Sequence, residues 1–189
     1  MEKNRVCPWW LGYFFINPMR KLNENPEKMF ASFVKPGMWV VDYGCAMGYF
    51  SLPLAQMTGD SGKVYCYDIQ RKMLDRLVKR ARKRALHQII IPRMIVPGQN
   101  SFEDMEEKVD FVLLNAVAHE VPDQKKLFRD LHFMLKPGSL LYFSEPPGHV
   151  KPKAFRHSVD WAKEAGFEPE KSRKMRKNTI VLRKPLVSG

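Results

Sequence analysis

From about residue 38 onward the chain alternates between two rhythms. Short runs rich in Val, Ile, Leu, Phe and Tyr, at 38–43, 63–68, 89–96, 109–115 and 139–145, are separated by longer stretches whose apolar positions fall three and four residues apart. That alternation predicts βαβ units around a parallel sheet, an α/β fold. VDFVLLN and SLLYFSE are almost continuously apolar, as strands covered on both faces must be. Residues 70–86 set Met73, Leu74, Leu77, Val78, Ala81 and Ala85 on one helical face and basic residues on the others, predicting an amphipathic crossover helix. Leu127, Phe128, Leu131, Met134 and Leu135 after Pro122 and Asp123 predict a second helix, stopped by KPG. Phe155, Val159, Ala162 and Ala165 before Gly166 predict a third. In the tail, a strand over 171–176 and a clearer one over 179–183 lie too close for a crossover helix, so they are expected to pair as a hairpin and bring one antiparallel strand into the sheet.

The first 37 residues follow neither rhythm. Asn25 can cap a helix with Pro26 at its first position and Met29, Phe30 and Phe33 on its buried side. Ahead of it, PWWLGYFFINP is either core or a flap over the sheet's carboxyl edge, and as a flap it brings Trp10 and Tyr13 to an acceptor pocket.

Length adds a bound: 189 residues, 44% of them apolar, suffice for one ordinary core, so a single domain is expected, with 1–37 as its N-terminal segment. Cys7, Cys45 and Cys66 are odd in number and lack metal-ligand spacing, which supports neither a disulfide framework nor a metal site and suits a reducing, cytoplasmic compartment. The longest apolar run, 6–16, is broken by Pro8 and Gly12 and falls far short of the roughly 20 residues that span a bilayer. No membrane association or leader is expected. The formal charge of +12 comes from two stretches of +7 each, the rest of the chain summing to −2. Residues 70–86 hold eight Lys or Arg against Asp75 alone, and 171–184 hold seven with no acid. These stripes suit either a solvated surface or a polyanion such as nucleic acid.

Ligands of doubly wound sheets bind beyond the carboxyl ends of the strands. After the first strand comes DYGCAMG, 42–48, a turn that can aim backbone amides and a helix start at an anionic group. The second strand ends in Asp68, an acid placed to accept hydrogen bonds from a ribose diol. Together they describe a pocket for an adenosine-containing cofactor.

These residues resemble the class I S-adenosylmethionine-dependent methyltransferases, in particular the small single-domain type. VVDYGCAMGYFS is similar to the family's D/E-x-G-x-G-x-G motif, with Asp42, Gly44 and Gly48 in register, Cys45 between them and Ala46 in place of the middle glycine. Asp68 resembles the acid that holds both ribose hydroxyls, and 70–74 the helix start behind it, which adds Ile69 and Met73 to the cofactor-binding set. In GQNSF, Asn100 falls near the residue that reads the adenine amino group, and Ser101 beside it supplies backbone contacts. VDFVLLNAVAHEVPD and LFRDLHFMLKPGSLLYFSEP resemble the fourth and fifth strands and their joining helix, with Asn115 closing the fourth. The resemblance implies a doubly wound, Rossmann-like, mostly parallel sheet of seven strands with one antiparallel C-terminal strand and helices on both faces. It implies S-adenosyl-L-methionine as cofactor, S-adenosyl-L-homocysteine as product, and methyl transfer by in-line displacement.

Such a displacement needs approach geometry and desolvation, and a base only where the acceptor must lose a proton. His119, after the fourth strand, is the candidate base, the alternative being a helix-start histidine satisfied by backbone. Glu120 and Glu145 are weaker candidates for acceptor contacts. The fourth-strand loop reads NAVA where methylases of exocyclic amines resemble N/D-P-P-Y, and no Pro-Cys pair occurs there to attack a pyrimidine. A small-molecule acceptor is therefore expected, for a monomer or homodimer. The alternatives are an RNA-associated methyltransferase or nucleic-acid-binding protein using the basic stripes, and a cofactor-binding domain without catalysis.

Overall fold

The computed structural model describes residues 24–99, 101–170 and 177–186. Its seven strands make one sheet in which, counted in chain order, the third, second, first, fourth, fifth, seventh and sixth lie side by side. By contact the described residues fall into two compact units, divided between 101 and 102.

The first unit holds α1 (Pro26–Phe30), β1 (Trp39–Tyr43), α2 (Ser51–Thr58), β2 (Lys63–Asp68), α3 (Arg71–Arg82) and β3 (Ile90–Met94). β1 and β3 flank β2, both parallel to it. Val64, Tyr65, Cys66 and Tyr67 of β2 are all buried, as the unbroken apolar run requires of a central strand. α3 buries Met73, Leu74, Leu77 and Ala81 and leaves Arg71, Lys72, Arg76, Lys79 and Arg82 exposed. At α1, Asn25 Oδ1 accepts from the Lys28 amide at 3.1 Å, the cap expected, with Pro26 in the first turn. Phe30, fully buried, meets Phe50 edge to face at 5.7 Å. Phe33 is buried too, while Met29 is half-buried. The aromatic segment ahead, with Trp10 and Tyr13, lies outside the described residues.

α3 is shorter than the 70–86 expected. The Leu86 amide donates to the Ala81 carbonyl and the Ala85 amide to Arg82, with Ala85 at φ +58°. This is a Schellman ending, with an alanine in the left-handed position that glycine usually fills.

In the second unit, β4 (Val109–Asn115) pairs in parallel with β5 (Leu135–Ser144), which pairs antiparallel with β7 (Thr179–Arg183). α4 (Gln124–Met134) and α5 (Pro152–Glu164) complete it. Asp123 caps α4, accepting from the Lys126 amide at 2.9 Å, so Pro122 stands before the helix rather than in it. β5 begins at Leu135, earlier than 139. The register jumps from Val109↔Leu135 to Phe111↔Leu140, so KPG is absorbed as a bulge instead of a connecting loop. The strand partnering β7 is β6 (Glu168–Pro169), ahead of the expected 171–176, which lies outside the described residues. Phe167, 2% exposed, and the Arg183–Glu170 ion pair fix that earlier segment against β7. Among the described strands of this unit, β7 alone runs against the others, the antiparallel C-terminal strand expected.

Candidate functional site

The first unit gathers its polar residues where β1 and β2 end. Asp42 is 3% exposed and accepts from the Ser51 hydroxyl at 2.6 Å, tying the end of β1 to the start of α2. The Gly44 and Cys45 amides donate to the Tyr67 carbonyl at 2.8 and 3.0 Å, folding the turn back onto β2. Gly44, Ala46 and Gly48 have φ of +76°, +46° and +78°. Ala46 therefore adopts the backbone that the absent glycine would, at a cost of about 1–2 kcal/mol for its Cβ.

Asp68 is 7% exposed, which excludes a solvated turn acid. Its Oδ2 accepts from the Ala46 amide at 2.9 Å and its Oδ1 from the Gln70 amide at 2.7 Å. Burial pushes its carboxyl above the usual carboxylate range, against the lowering pull of those amides and that of Ile69. A carboxylate can accept about four hydrogen bonds, so this one retains acceptor capacity for a hydroxyl donor. Cys45 is buried, and burial beside Cys66 pushes its thiol well above its ordinary value, which leaves it inert as a nucleophile. Ile69 is exposed at the end of β2, whereas Met73 is 2% exposed on the inner side of α3. Ser101 is half-buried at the end of the unit. Asn100 lies outside the described residues.

The second unit likewise concentrates polar groups beyond the ends of β4 and β5. Asn115 is half-buried opposite Ser144, and Ala116 follows at φ +59°. A short 3-10 turn, Ala118–Glu120, then presents His119. Glu145, 3% exposed, directs both carboxylate oxygens at that one residue. Oε1 accepts from the His119 amide at 3.0 Å and Oε2 from its Nδ1 at 2.6 Å. This hydrogen bond raises the His119 imidazole above its usual range, opposed by burial and helped by the charges of Glu145 and Glu120. The His149 ring lies at 4.8 Å from that of His119, at 67°. Glu145 is thus joined to His119, while Glu120 is half-buried beside them in sequence. His149 does not stand out in the sequence; its place on the loop beyond β5 is the one signal that points to it.

The basic stripes are partly consumed by the fold. Arg183 pairs with Glu170 and donates to the Gly138 carbonyl at 2.6 Å. Lys184, 7% exposed, donates to Glu107 and to the carbonyls of His132 and Leu135. In the other stripe Arg71 pairs with Asp75 and Arg80 donates to the Met47 carbonyl, while Lys79, Arg82, Lys83 and Arg84 stay exposed. Among the described residues no group of three His, Cys, Asp or Glu could hold a metal, and no helix is long and apolar enough to cross a membrane.

Residues 34–178 match the family model described as a methyltransferase domain. A demethylmenaquinone methyltransferase of Geobacillus stearothermophilus is 25% identical over 125 residues, 66% of this chain and 52% of that protein. A 23S rRNA (uracil(1939)-C(5))-methyltransferase of Acinetobacter baylyi is 34% identical over 70 residues, 36% of this chain and 15% of its own. The chain spans about half the length of the demethylmenaquinone methyltransferases it matches. Among solved structures, a SAM-dependent methyltransferase from Aquifex aeolicus shares the fold, with a TM-score of 0.79 at 22% identity, covering 94% of this chain and 97% of that one.

Proposed function

The chain belongs to the class I S-adenosylmethionine-dependent methyltransferases, and from that membership we propose that it transfers a methyl group to a small-molecule acceptor. The observation that carries the reading is Asp68. A buried carboxylate closing a parallel strand, already fixed by two amides and with acceptor capacity left over, suits the paired hydroxyls of a ribose. The fit extends to the turn after β1, where Ala46 takes up positive φ and so preserves the path of a glycine-rich loop. S-adenosylmethionine, when bound, supplies a methyl group on a sulfonium whose leaving group is a neutral thioether.

The protein's own contribution is to bind and orient. Asp68 grips the sugar, the 44–48 turn offers its backbone to the amino-acid end, and Asp42 braces that turn through Ser51. Ile69, next to Asp68, flanks the nucleoside, and Ser101 offers it backbone contacts. A small-molecule acceptor is supported by the internal use of Arg183 and Lys184, which removes two cations from the stripe a polyanion would need. It is also supported by the relatives, since the rRNA-directed match spans a far shorter segment than the demethylmenaquinone ones.

Calorimetric titration with S-adenosylhomocysteine tests the reading. Wild-type protein is expected to bind it, and Asp68→Asn, which keeps the shape but weakens the acceptor, is expected to lose about 1.5–3 kcal/mol of affinity. A wild-type protein that binds neither S-adenosylmethionine nor its product would overturn the reading, and an unchanged Kd for Asp68→Asn would remove Asp68 from it.

A further inference from the structure

Among the described residues the protein hydrogen bonds of His119 run through its amide and Nδ1 alone. A carboxylate only accepts, so Nδ1 carries the hydrogen and the basic lone pair of the neutral ring is on Nε2. The side chain keeps 21% of its surface exposed, against 2% for Glu145. One end of the ring is held, and the side chain as a whole stays partly exposed.

The holding is thorough. Glu145 grips backbone and ring of the same residue, so the imidazole can neither swing nor flip without breaking a 2.6 Å charge-assisted bond. The Glu145 amide donates to the Asn178 carbonyl at 2.9 Å, and the Asn178 side chain donates to the Val150 carbonyl at 2.7 Å, bracing the loop that carries His149. The groups acting on the ring are Glu145 and Glu120, both acidic, and the His149 ring. A base oriented by a carboxylate, on loops beyond the carboxyl ends of two parallel strands, is the arrangement by which a proton is taken from a bound reactant.

We propose that His119 Nε2 is the general base for the acceptor, that Glu145 is its positioning residue, and that the acceptor class is an acidic hydroxyl such as a phenol. The inference rests on the methyltransferase reading and deepens it. On transfer the acceptor oxygen forms its bond to the methyl carbon while the carbon–sulfur bond breaks, with its electron pair going to sulfur. The hydroxyl proton passes to Nε2, the O–H electrons stay on oxygen, and the imidazolium, stabilised across Nδ1 by Glu145, later gives the proton to water. An imidazole base suits a hydroxyl acidic enough to yield its proton, whereas an alkanol is too weak an acid for it. A thioether or tertiary amine, attacking through a lone pair that bears no proton, has no use for it.

Proton NMR titration of His119 in the protein without ligand tests the positioning. Glu145→Gln is expected to lower its pKa by about one unit or more, and 15N shifts are expected to place the neutral ring's hydrogen on Nδ1. Glu145→Asp, which keeps the charge but shortens its reach, gives the same comparison should Gln impair folding. For the acceptor class, 4-nitrophenol added with S-adenosylhomocysteine is expected to bind as the yellow phenolate below its solution pKa in wild type and not in His119→Gln. A His119 titration unmoved by both Glu145 variants, or no phenolate band with wild type, would overturn the inference. Calorimetry with S-adenosylhomocysteine on the same samples separates the cases: binding retained leaves only this inference lost, and no binding in wild type sinks the family-based reading beneath it.

Discussion

Gly48 is fixed by two constraints at once. Its φ is +78°, and a Cβ built there would lie 2.2 Å from Leu77 Cδ1, on the buried side of α3. Leu77 is fully buried and cannot retreat freely. Gly48→Ala is therefore expected to cost about 2–4 kcal/mol, combining backbone strain with overpacking, and urea unfolding measures it. Ala46, two residues earlier, bears the backbone cost of a positive φ. The sequence motif shows which positions should be glycine but not which of them is also crowded, since the crowding comes from a residue far along the chain. The same holds at Asp68, whose acid type and strand-end position are legible while its amide partners at Ala46 and Gln70 require the fold.

At the scale of elements, periodicity and caps carried most of the information. β2 and β4 fall where their apolar runs predict, and Asn25 and Asp123 cap as their type suggests. The departures share a cause: backbone conformations that a residue alphabet encodes poorly. α3 stops because Ala85 turns left-handed, although its apolar face continues to Leu86. β5 starts early because its bulge gives Pro137 and Gly138 a place inside a strand. Since Ala85 occupies the position glycine prefers, Ala85→Gly is expected to stabilise the protein by about 1 kcal/mol, raising Tm by about 2–4 °C in a chain of this size. A thermal melt of the variant beside wild type checks it, and a lower Tm would mean that the ending is not held as described.

Across the molecule, two histidines pull stability in opposite directions with pH. His119 has a folded-state pKa above its unfolded one, chiefly through Glu145, so its contribution is complete below about pH 6.5 and disappears as pH rises through the higher folded value. His132 is lowered by burial and by Lys184, so it costs stability as pH falls from about 6.5 through its lower folded value. Unfolding free energy between pH 8 and 5.5 is expected to rise and then fall. His119→Gln should remove the rise and His132→Gln the fall, as urea titrations at several pH values report. Neither effect is legible in the sequence, which marks His119 as a candidate base without its tie to Glu145 and does not single out His132. The charge total misleads for a related reason: Lys184 counts toward a basic stripe yet is enclosed, its ammonium shared among Glu107 and two carbonyls. Amine-reactive reagents consequently meet this lysine only when the edge of the sheet comes apart, so the rate at which it is tagged in native protein becomes a clock for that opening.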